Sequence, residues 1–289
     1  MDKHRDLIDR IYEAPFQPHL WKDVLQDISN IAGARGGVLS SIPVVPNGFF
    51  FSDGVASVVE AMAADNFVHG RAIEEKLQKL EGAGFHADGS VYDEETKARM
   101  PVYTKVLWPL GIGDSAGSHI RTTMGESLMF CIMRSRDKGA MPVAALDELT
   151  SLFPHLARAV TLSTRNEFQQ IQNANRALAA TGLAAAAIND AGRIIDCNAL
   201  FASLSQQVII SGRDRLRLAH ASANAILDDC LESARYNFRD ILAASRSVAL
   251  PATDTASAAV LHLIPARGIL RDLFRHTAFF VIITPLGQV

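Results

Sequence analysis

The sequence has few cysteines and no pattern of metal ligands. Its 289 residues include three cysteines, Cys131, Cys197 and Cys230, which lie far apart along the chain. Protein zinc sites use closely spaced Cys and His residues, such as Cys-x-x-Cys pairs, and no such spacing occurs here. A sparse, odd set of cysteines is typical of reduced thiols. We therefore predict no metal site and a cytoplasmic protein.

Long hydrophobic runs and an excess of positive charge are also missing. No stretch of 18 apolar residues, which a membrane-spanning helix requires, is present, and the charged N-terminus lacks the apolar core of a signal peptide. A net charge of −3 argues against a broad nucleic-acid-binding surface. The hydrophobic content of 48% is high enough for packed cores, and the length suits two domains.

The order of predicted elements indicates an α+β fold. Residues 1–145 show two helices, strands, further helices and a strand pair, which suits an antiparallel sheet with flanking helices. Within them, residues 103–111 have the pattern of a strand and 111–117 that of a glycine-rich loop. Residues 181–289 begin with a strand, a tight turn and a strand, and end with three strands. We predict two such domains joined by a long helix over 146–180.

The connecting helix has apolar positions at a nearly heptad spacing, which Pro154 should kink or restart. One interpretation is that the helix packs on its own domain. The interpretation we favour is that it pairs with a second copy in a homodimer, with Asn175 setting the register. The predicted dimer contacts are Leu149, Phe153, Leu156, Val160, Ile171 and Asn175.

The second half resembles a PAS domain. The resemblance covers an opening of strand, turn, strand and helix start, and it ends with the three terminal strands. Its residues are Asn189, Asp190, Gly192, Arg193, Ile194, Ile195, Asn198, Ala199 and Phe201. The helical segments that follow have no recognisable cofactor motif, so no cofactor is expected.

The first half resembles the GAF-like sensor half of bacterial LuxR-type regulators. The matching positions are Leu7, Ile8, Ile11, Tyr12, Trp21, Val24, Leu25, the segment 108–111 and the Pro154-His155-Leu156 helix. In such proteins that helix leads to the PAS domain, and a helix-turn-helix domain follows. The resemblance implies a cytoplasmic sensory region that contacts DNA only through a domain that would follow Val289.

The segment Gly113-Asp114-Ser115-Ala116-Gly117 matches the G-x-S-x-G motif of serine hydrolases. That motif requires a strand before the serine and a helix after it, whereas the residues after Gly117 have the pattern of a strand. Asp147 and His155 have the chain order of a catalytic triad but lie on one helical run. We therefore predict a non-enzymatic protein and keep a serine hydrolase as the alternative.

Apolar and aromatic side chains of the first domain are candidates for lining a small-molecule pocket, because such pockets are mostly apolar. They are Phe49, Phe51, Phe67, Tyr103, Trp108, Met129 and Cys131. For each of them, ordinary core packing is the alternative. The leading hypothesis is a dimeric sensor of an unidentified small-molecule effector. A further alternative is an interaction module whose two interiors are filled by its own side chains.

Overall fold

A computed structural model describes residues 2–42, 49–64, 83–122, 127–204, 208–211, 214–236, 245–252, 257–266 and 277–286. The chain divides into two compact units, Met1–Asn166 and Glu167–Val289. Each unit has a five-stranded antiparallel sheet with helices, which confirms the expected α+β class. The division falls within the long helix, and the domain limits 1–145, 146–180 and 181–289 stay a prediction.

The first unit mixes short helices with one central sheet. Its helices are α1 (Asp2–Glu13), α2 (Leu20–Ile31), α3 (Ala56–Ala64), α4 (Asp88–Val91), α5 (Glu94–Arg99) and the start of α6 (Val143–Ala180). Its strands are β1 (Gly36–Ile42), β2 (Phe49–Phe51), β3 (His86–Ala87), β4 (Ile112–Arg121) and β5 (Ser127–Ser135). The strands lie in the order β2-β1-β5-β4-β3.

Helix α2 shows why the helical pattern of the first unit was readable. Trp21, Val24, Leu25 and Ile28 recur every three or four residues and are fully buried. Trp21 packs on Phe130 of β5, with ring centroids 6.0 Å apart. The apolar stripe of α2 therefore covers one face of the first sheet.

The second unit has a sheet of the same strand order. Its strands are β6 (Ala184–Ile188), β7 (Ile194–Cys197), β8 (Val208–Ser211), β9 (Arg215–Leu218), β10 (Arg246–Leu250), β11 (Ala259–Pro265) and β12 (Phe279–Pro285), and its further helices are α7 (Ala199–Ala202) and α8 (Ala221–Tyr236). The sheet order is β10-β11-β12-β6-β7, and β8 pairs with β9 separately. We leave that pair aside and number the five strands of each sheet from 1 to 5 along the chain. The order across the sheet is then 2-1-5-4-3 in both units, counted in the second unit from the β7 edge.

The turn between β6 and β7 and the start of α7 match the sequence pattern. The Asn189 side-chain oxygen accepts hydrogen bonds from the backbone N–H groups of Ala191 and Arg193. Gly192 has a φ of +74°, a conformation that favours glycine. Asn198 caps α7 by accepting from the Phe201 N–H. The predicted tight turn and helix cap are confirmed.

Two predictions for the first unit are wrong. The segment expected to be a strand after Tyr103 is a π-helical turn, Val102–Leu107, which Pro101 precedes with a helical φ of −56°. Short apolar runs do not distinguish strand from buried helix, which explains the error. The expected glycine-rich loop lies almost entirely within β4. There a Cβ on Gly113 would come within 2.6 Å of Arg136 Cα, so this glycine permits close packing and does not mark a loop.

Helix α6 runs from Val143 to Ala180 and includes Pro154 without ending there. Of the two effects expected of Pro154, a kink or a restart, the restart is therefore wrong. The proximal part of α6 belongs to the first unit and its distal part to the second. Among the helices of the described residues, none combines the length and the hydropathy needed to cross a membrane.

Candidate functional site

One face of the first sheet brings together the side chains of three adjacent strand rows. Residues paired across antiparallel strands lie on the same face. One row contains Phe51, Val38, Cys131, Gly117 and His86. The rows on either side contain Phe49, Ser40, Met129 and His119, and Gly36, Met133 and Ser115. We call the face defined by these three rows the site face.

Most of the predicted ligand-binding residues meet on this side of the first unit. Five of them belong to, or pack against, one apolar cluster that includes Val38 and Met133 of the site face: Phe49, Phe51, Tyr103, Trp108 and Cys131. Met129 lies on the site face two residues from Cys131. Phe67 lies outside the described residues. The structure places these six side chains around one region, and ligand binding by them stays a prediction.

A buried carboxyl group, Asp88, lies at the edge of the site face. Asp88 is only 5% exposed, and its Oδ2 accepts a hydrogen bond from the Tyr103 hydroxyl at 2.8 Å. The Ser115 hydroxyl donates to the same oxygen. Burial raises the pKa of Asp88 to about 6, although both hydroxyl groups favour its ionised form. Asp88 is therefore a carboxyl group that changes charge close to neutral pH.

A buried ion pair lies beside Asp88. The Lys97 ammonium is 3.5 Å from Asp114 Oδ1, and the other Asp114 oxygen accepts from the Met141 N–H at 2.7 Å. Lys97 also contacts the exposed Glu94 at 3.2 Å. Burial alone would lower the pKa of Lys97, but Asp114 and the other nearby carboxylates more than offset this, so the pKa is raised. Lys97 stays protonated at physiological pH.

Three further titratable groups of this region, Tyr103, Cys131 and His119, are held neutral near pH 7. Burial, together with the negative charge of Asp88, raises the pKa of Tyr103 and raises that of the Cys131 thiol to about 12. Burial and the positive charge of Arg121 lower the pKa of His119. The region therefore offers a phenol, a thiol and a neutral imidazole next to a carboxylate. Such a set is suited to binding by hydrogen bonds.

Several buried polar atoms on the site face make no hydrogen bond. They are Ser40 Oγ, His86 Nε2 and His119 Nε2, and Ser40 is only 2% exposed. Buried polar atoms in native proteins are nearly always paired, so each exception needs an explanation. Three such atoms lie on this one sheet face, which makes it the candidate binding face of the first unit.

Sequence reasoning missed Asp88 and Lys97. Residues 82–90 have the composition of a loop, whereas β3 and α4 form there. The hydrogen-bond partners of Asp88 are 15 and 27 residues further along the chain, and no local pattern connects them. Ser115 drew attention through its motif, but for a different chemistry.

The geometry does not assemble the hydrolase motif. Ser115 lies inside β4, where a nucleophile elbow would need a sharp turn from strand to helix. Its hydroxyl donates to Asp88, while His155 shares a hydrogen bond of 3.1 Å with the Tyr12 hydroxyl. Asp147 is exposed on α6. These three residues do not form a triad in the described structure.

The predicted dimer contacts are buried within the single chain. Leu149, Leu156, Val160 and Ile171 have no exposed surface, and Asn175 has almost none. Phe153 packs against Phe85 with ring centroids 6.5 Å apart. The other five residues therefore have almost no surface to offer a second copy in this structure, whereas Phe153 is half-buried. The homodimer itself stays a prediction.

Among the described residues, no group of three or more His, Cys, Asp or Glu side chains is placed to hold a metal ion. Of the three cysteines, Cys230 is buried and the other two are half-buried, and all three are unpaired thiols.

No known protein family matches the sequence, and no curated protein does. Among solved structures, a chain of the E. coli DhaR(N)–DhaL complex matches with a TM-score of 0.30 and 10% sequence identity, over 98% of this chain and 88% of that chain. A likeness at that score supports no conclusion about fold or function.

Proposed function

We propose that this chain is the sensory region of a cytoplasmic LuxR-type transcriptional regulator, and that its first unit binds a small molecule on the site face. The observation that supports this most directly is the group of unpartnered buried atoms, Ser40 Oγ, His86 Nε2 and His119 Nε2, on a single sheet face. Val38, Met133 and Cys131 of the same face belong to, or pack against, an apolar cluster that includes aromatic side chains, and small-molecule pockets are mostly apolar.

A structural joint connects this region to α6. Phe85 directly precedes β3, and Asp88 directly follows it. The backbone N–H of Phe85 donates to Thr150 Oγ1 of α6 at 3.1 Å. The Phe85 ring also packs edge-on against Phe153 of α6. A molecule that moves β3 would thus act on α6 through contacts at two consecutive turns. In the proposed sensor, these contacts of Phe85 with Thr150 and Phe153 transmit the effect of ligand binding to α6.

The distal part of α6 has polar contacts with the second sheet. Asn175 donates to Asp196 Oδ2 of β7 at 2.7 Å, and the Asn198 side chain donates to the backbone oxygen of Asn175 at 3.3 Å. Both contacts lie within the second unit. A ligand that binds one arrangement of α6 better than another would shift the population of arrangements by that difference in affinity. The proposed output is a change in DNA binding by a homodimer through a separate helix-turn-helix domain.

Native mass spectrometry of the purified chain tests the proposal. We expect a small molecule that co-purifies with the chain, or that binds from fractionated cell extract, and that leaves on denaturation. The variant Gly117→Leu places a side chain in the central row of the site face and should abolish binding. Gly89→Leu is the matched control, because a Cβ at Gly89 meets no atom within 4 Å.

The outcomes separate the sensor from an interaction module. Loss of the bound molecule in Gly117→Leu, with retention in Gly89→Leu, supports a ligand site on the site face. A folded chain that takes up no molecule from any extract fraction contradicts the proposal and favours an interior filled by side chains.

A further inference from the structure

The buried charges next to the site face are unbalanced. Among the described residues, two carboxyl groups, Asp88 and Asp114, are buried there, and one ammonium, that of Lys97, is buried with them. Lys97 forms its ion pairs with Asp114 and with Glu94. The hydrogen-bond donors to Asp88 are neutral hydroxyl groups. A buried carboxylate without a hydrogen-bonded cation is costly, and a cationic partner would reduce that cost.

Aromatic rings lie close to this carboxyl group. Tyr103 donates to Asp88, and its ring centroid is 6.5 Å from that of Tyr92 and 6.1 Å from that of Trp108. The electron-rich faces of such rings attract cations, and a carboxylate beside them adds a full opposite charge. Lys97 already shows this preference, since its ammonium lies 5.7 Å from the Tyr103 ring centroid.

The unpartnered atoms of the site face, Ser40 Oγ, His86 Nε2 and His119 Nε2, are also suited to a ligand that donates hydrogen bonds. A neutral imidazole can present Nε2 as a hydrogen-bond acceptor, and a serine hydroxyl both accepts and donates. His86 and His119 lie on either side of Gly117 on the site face, one across the strand pair and one two residues along β4. These three atoms have no partner among the described residues, and each is able to accept a hydrogen bond. An N–H donor such as an ammonium group is therefore one kind of partner that suits them.

We infer that the molecule sensed by the first unit is a small organic amine, bound as its ammonium ion with Asp88 as the counter-ion and aromatic rings beside it. This inference rests on the proposed function, because it names the ligand class of the same site. Neutral and anionic compounds of the same shape would leave the Asp88 charge without a partner.

Binding of matched probes to the full chain tests the ligand class. The amines are phenethylamine and putrescine, and the matched compounds are 2-phenylethanol, 1,4-butanediol and phenylacetate. We expect at least one amine to raise the unfolding temperature and to show saturable binding in calorimetry, at least tenfold tighter than its matched alcohol. Asp88→Asn should weaken amine binding by at least tenfold. Asp147→Asn, a change at an exposed carboxylate on α6, should leave it unchanged.

The pH dependence of amine binding to the unaltered chain provides a second readout that requires no substitution. The groups that face Asp88 are Ser115, Tyr103, Lys97, Asp114, Tyr92 and Cys131. Because the pKa of Asp88 is about 6, its carboxylate form rises from a minor fraction at pH 5 to the major one at pH 7. Amine affinity should therefore increase about tenfold over that range, since only the ionised fraction is competent to bind.

Three results would overturn the inference. One is equal binding of the amines and their alcohols, a second is unchanged amine affinity in a folded Asp88→Asn variant, and a third is the absence of binding by any of the amine probes. If mass spectrometry shows a bound neutral or acidic molecule, the sensor stands and the ligand class is wrong. If no molecule binds at all, the proposed function fails as well.

Discussion

The two units share a sheet order but differ in what they bury. In the first unit, Asp88, Lys97 and Asp114 are enclosed beside the site face. In the second unit, the cluster that packs on the sheet is apolar and includes Phe201, Leu261 and Val281. Its described strands carry no buried charged side chain. The same strand order thus supports one sheet with buried charged side chains beside it and one whose described strands carry none.

The second unit shows what a structural use of a buried polar side chain requires. The Asn198 carboxamide accepts from the N–H groups of Ala185 and Phe201 and donates to the carbonyl groups of Leu183 and Asn175. All of its hydrogen-bonding capacity is used, which is how buried polar groups contribute to stability. The site face of the first unit instead leaves three polar atoms unpaired. Unpaired atoms of this kind are what the proposed ligand site would require.

The largest expected effect comes from placing a charge in the second core. Leu261 of β11 has no exposed surface, so Leu261→Asp would bury a carboxylate without a partner. We expect the free energy of unfolding to fall by about 4 kcal/mol or more, because Leu261 belongs to an apolar cluster whose described members offer the new charge no ion-pair partner. Urea unfolding followed by far-ultraviolet circular dichroism measures the loss.

His262→Asp is the matched control, because this neighbouring residue points to the opposite side of β11 and is half-buried. Its effect should stay below about 1 kcal/mol, within the range of surface changes. If Leu261→Asp loses as little stability as His262→Asp is expected to lose, the second core tolerates a buried charge as well as the first does. The contrast between the units would then disappear.

The next effect is the pH dependence of the first unit. Asp88 has a pKa of about 6 in the folded chain, above its ordinary value of 3.8, so the folded state holds the proton more tightly. The contribution of Asp88 to the free energy of unfolding is therefore most favourable below pH 4. It falls as the pH rises to about 7, by on the order of 3 kcal/mol in total. Asp88→Asn removes this dependence.

Tryptophan fluorescence makes the measurement specific to the first unit, because both tryptophans of the chain, Trp21 and Trp108, lie there. Urea unfolding between pH 4 and pH 8 should show the unaltered chain losing stability relative to Asp88→Asn as the pH rises. Asp147→Asn should follow the unaltered chain. If the difference between Asp88→Asn and the unaltered chain stays constant over this range, Asp88 is not the buried titrating group described above.

Much of the fold was predictable because its signals are local. The apolar spacing in α2 and the Asn189–Gly192 turn depend on residues within one or two turns of each other, so the sequence shows them directly. Strand β3 has only two residues, and it forms through pairing with Gly117 and Ala116, about thirty residues away. No local pattern predicts so short a strand.

The candidate site was predictable in part for the same reason. Aromatic and apolar residues such as Phe49, Phe51 and Trp108 stand out by type, and they do lie together. The polar centre depends on Asp88 meeting Tyr103 and Ser115, which only the folded chain brings into contact. The Ser115 motif suggested a nucleophile because sequence shows the residue but not the strand pairing around it.

A smaller effect tests the joint between the site face and α6. Gly84 has a φ of +135°, and a Cβ there would lie 2.7 Å from Thr150 Cγ2 of α6. Gly84→Ala should lower stability by about 2 kcal/mol, because it combines backbone strain with a clash. Tryptophan-monitored urea unfolding measures this loss, and the response to a bound ligand should weaken because Phe85 and β3 are displaced.

Gly182 of the second unit is the matched control for that change. Its φ of +78° also disfavours alanine, but a Cβ there meets no atom within 4 Å. Gly182→Ala should therefore cost about 1 kcal/mol from strain alone, and far-ultraviolet circular dichroism measures this loss because both tryptophans lie in the first unit. The excess loss in Gly84→Ala then reports the close packing of the segment before β3 on Thr150. Two results together would contradict this contact: equal losses of stability in the two variants, and an intact ligand response in both. The contact with Thr150 would then not be what holds β3 to α6, and the proposed signal would have to reach α6 through other residues.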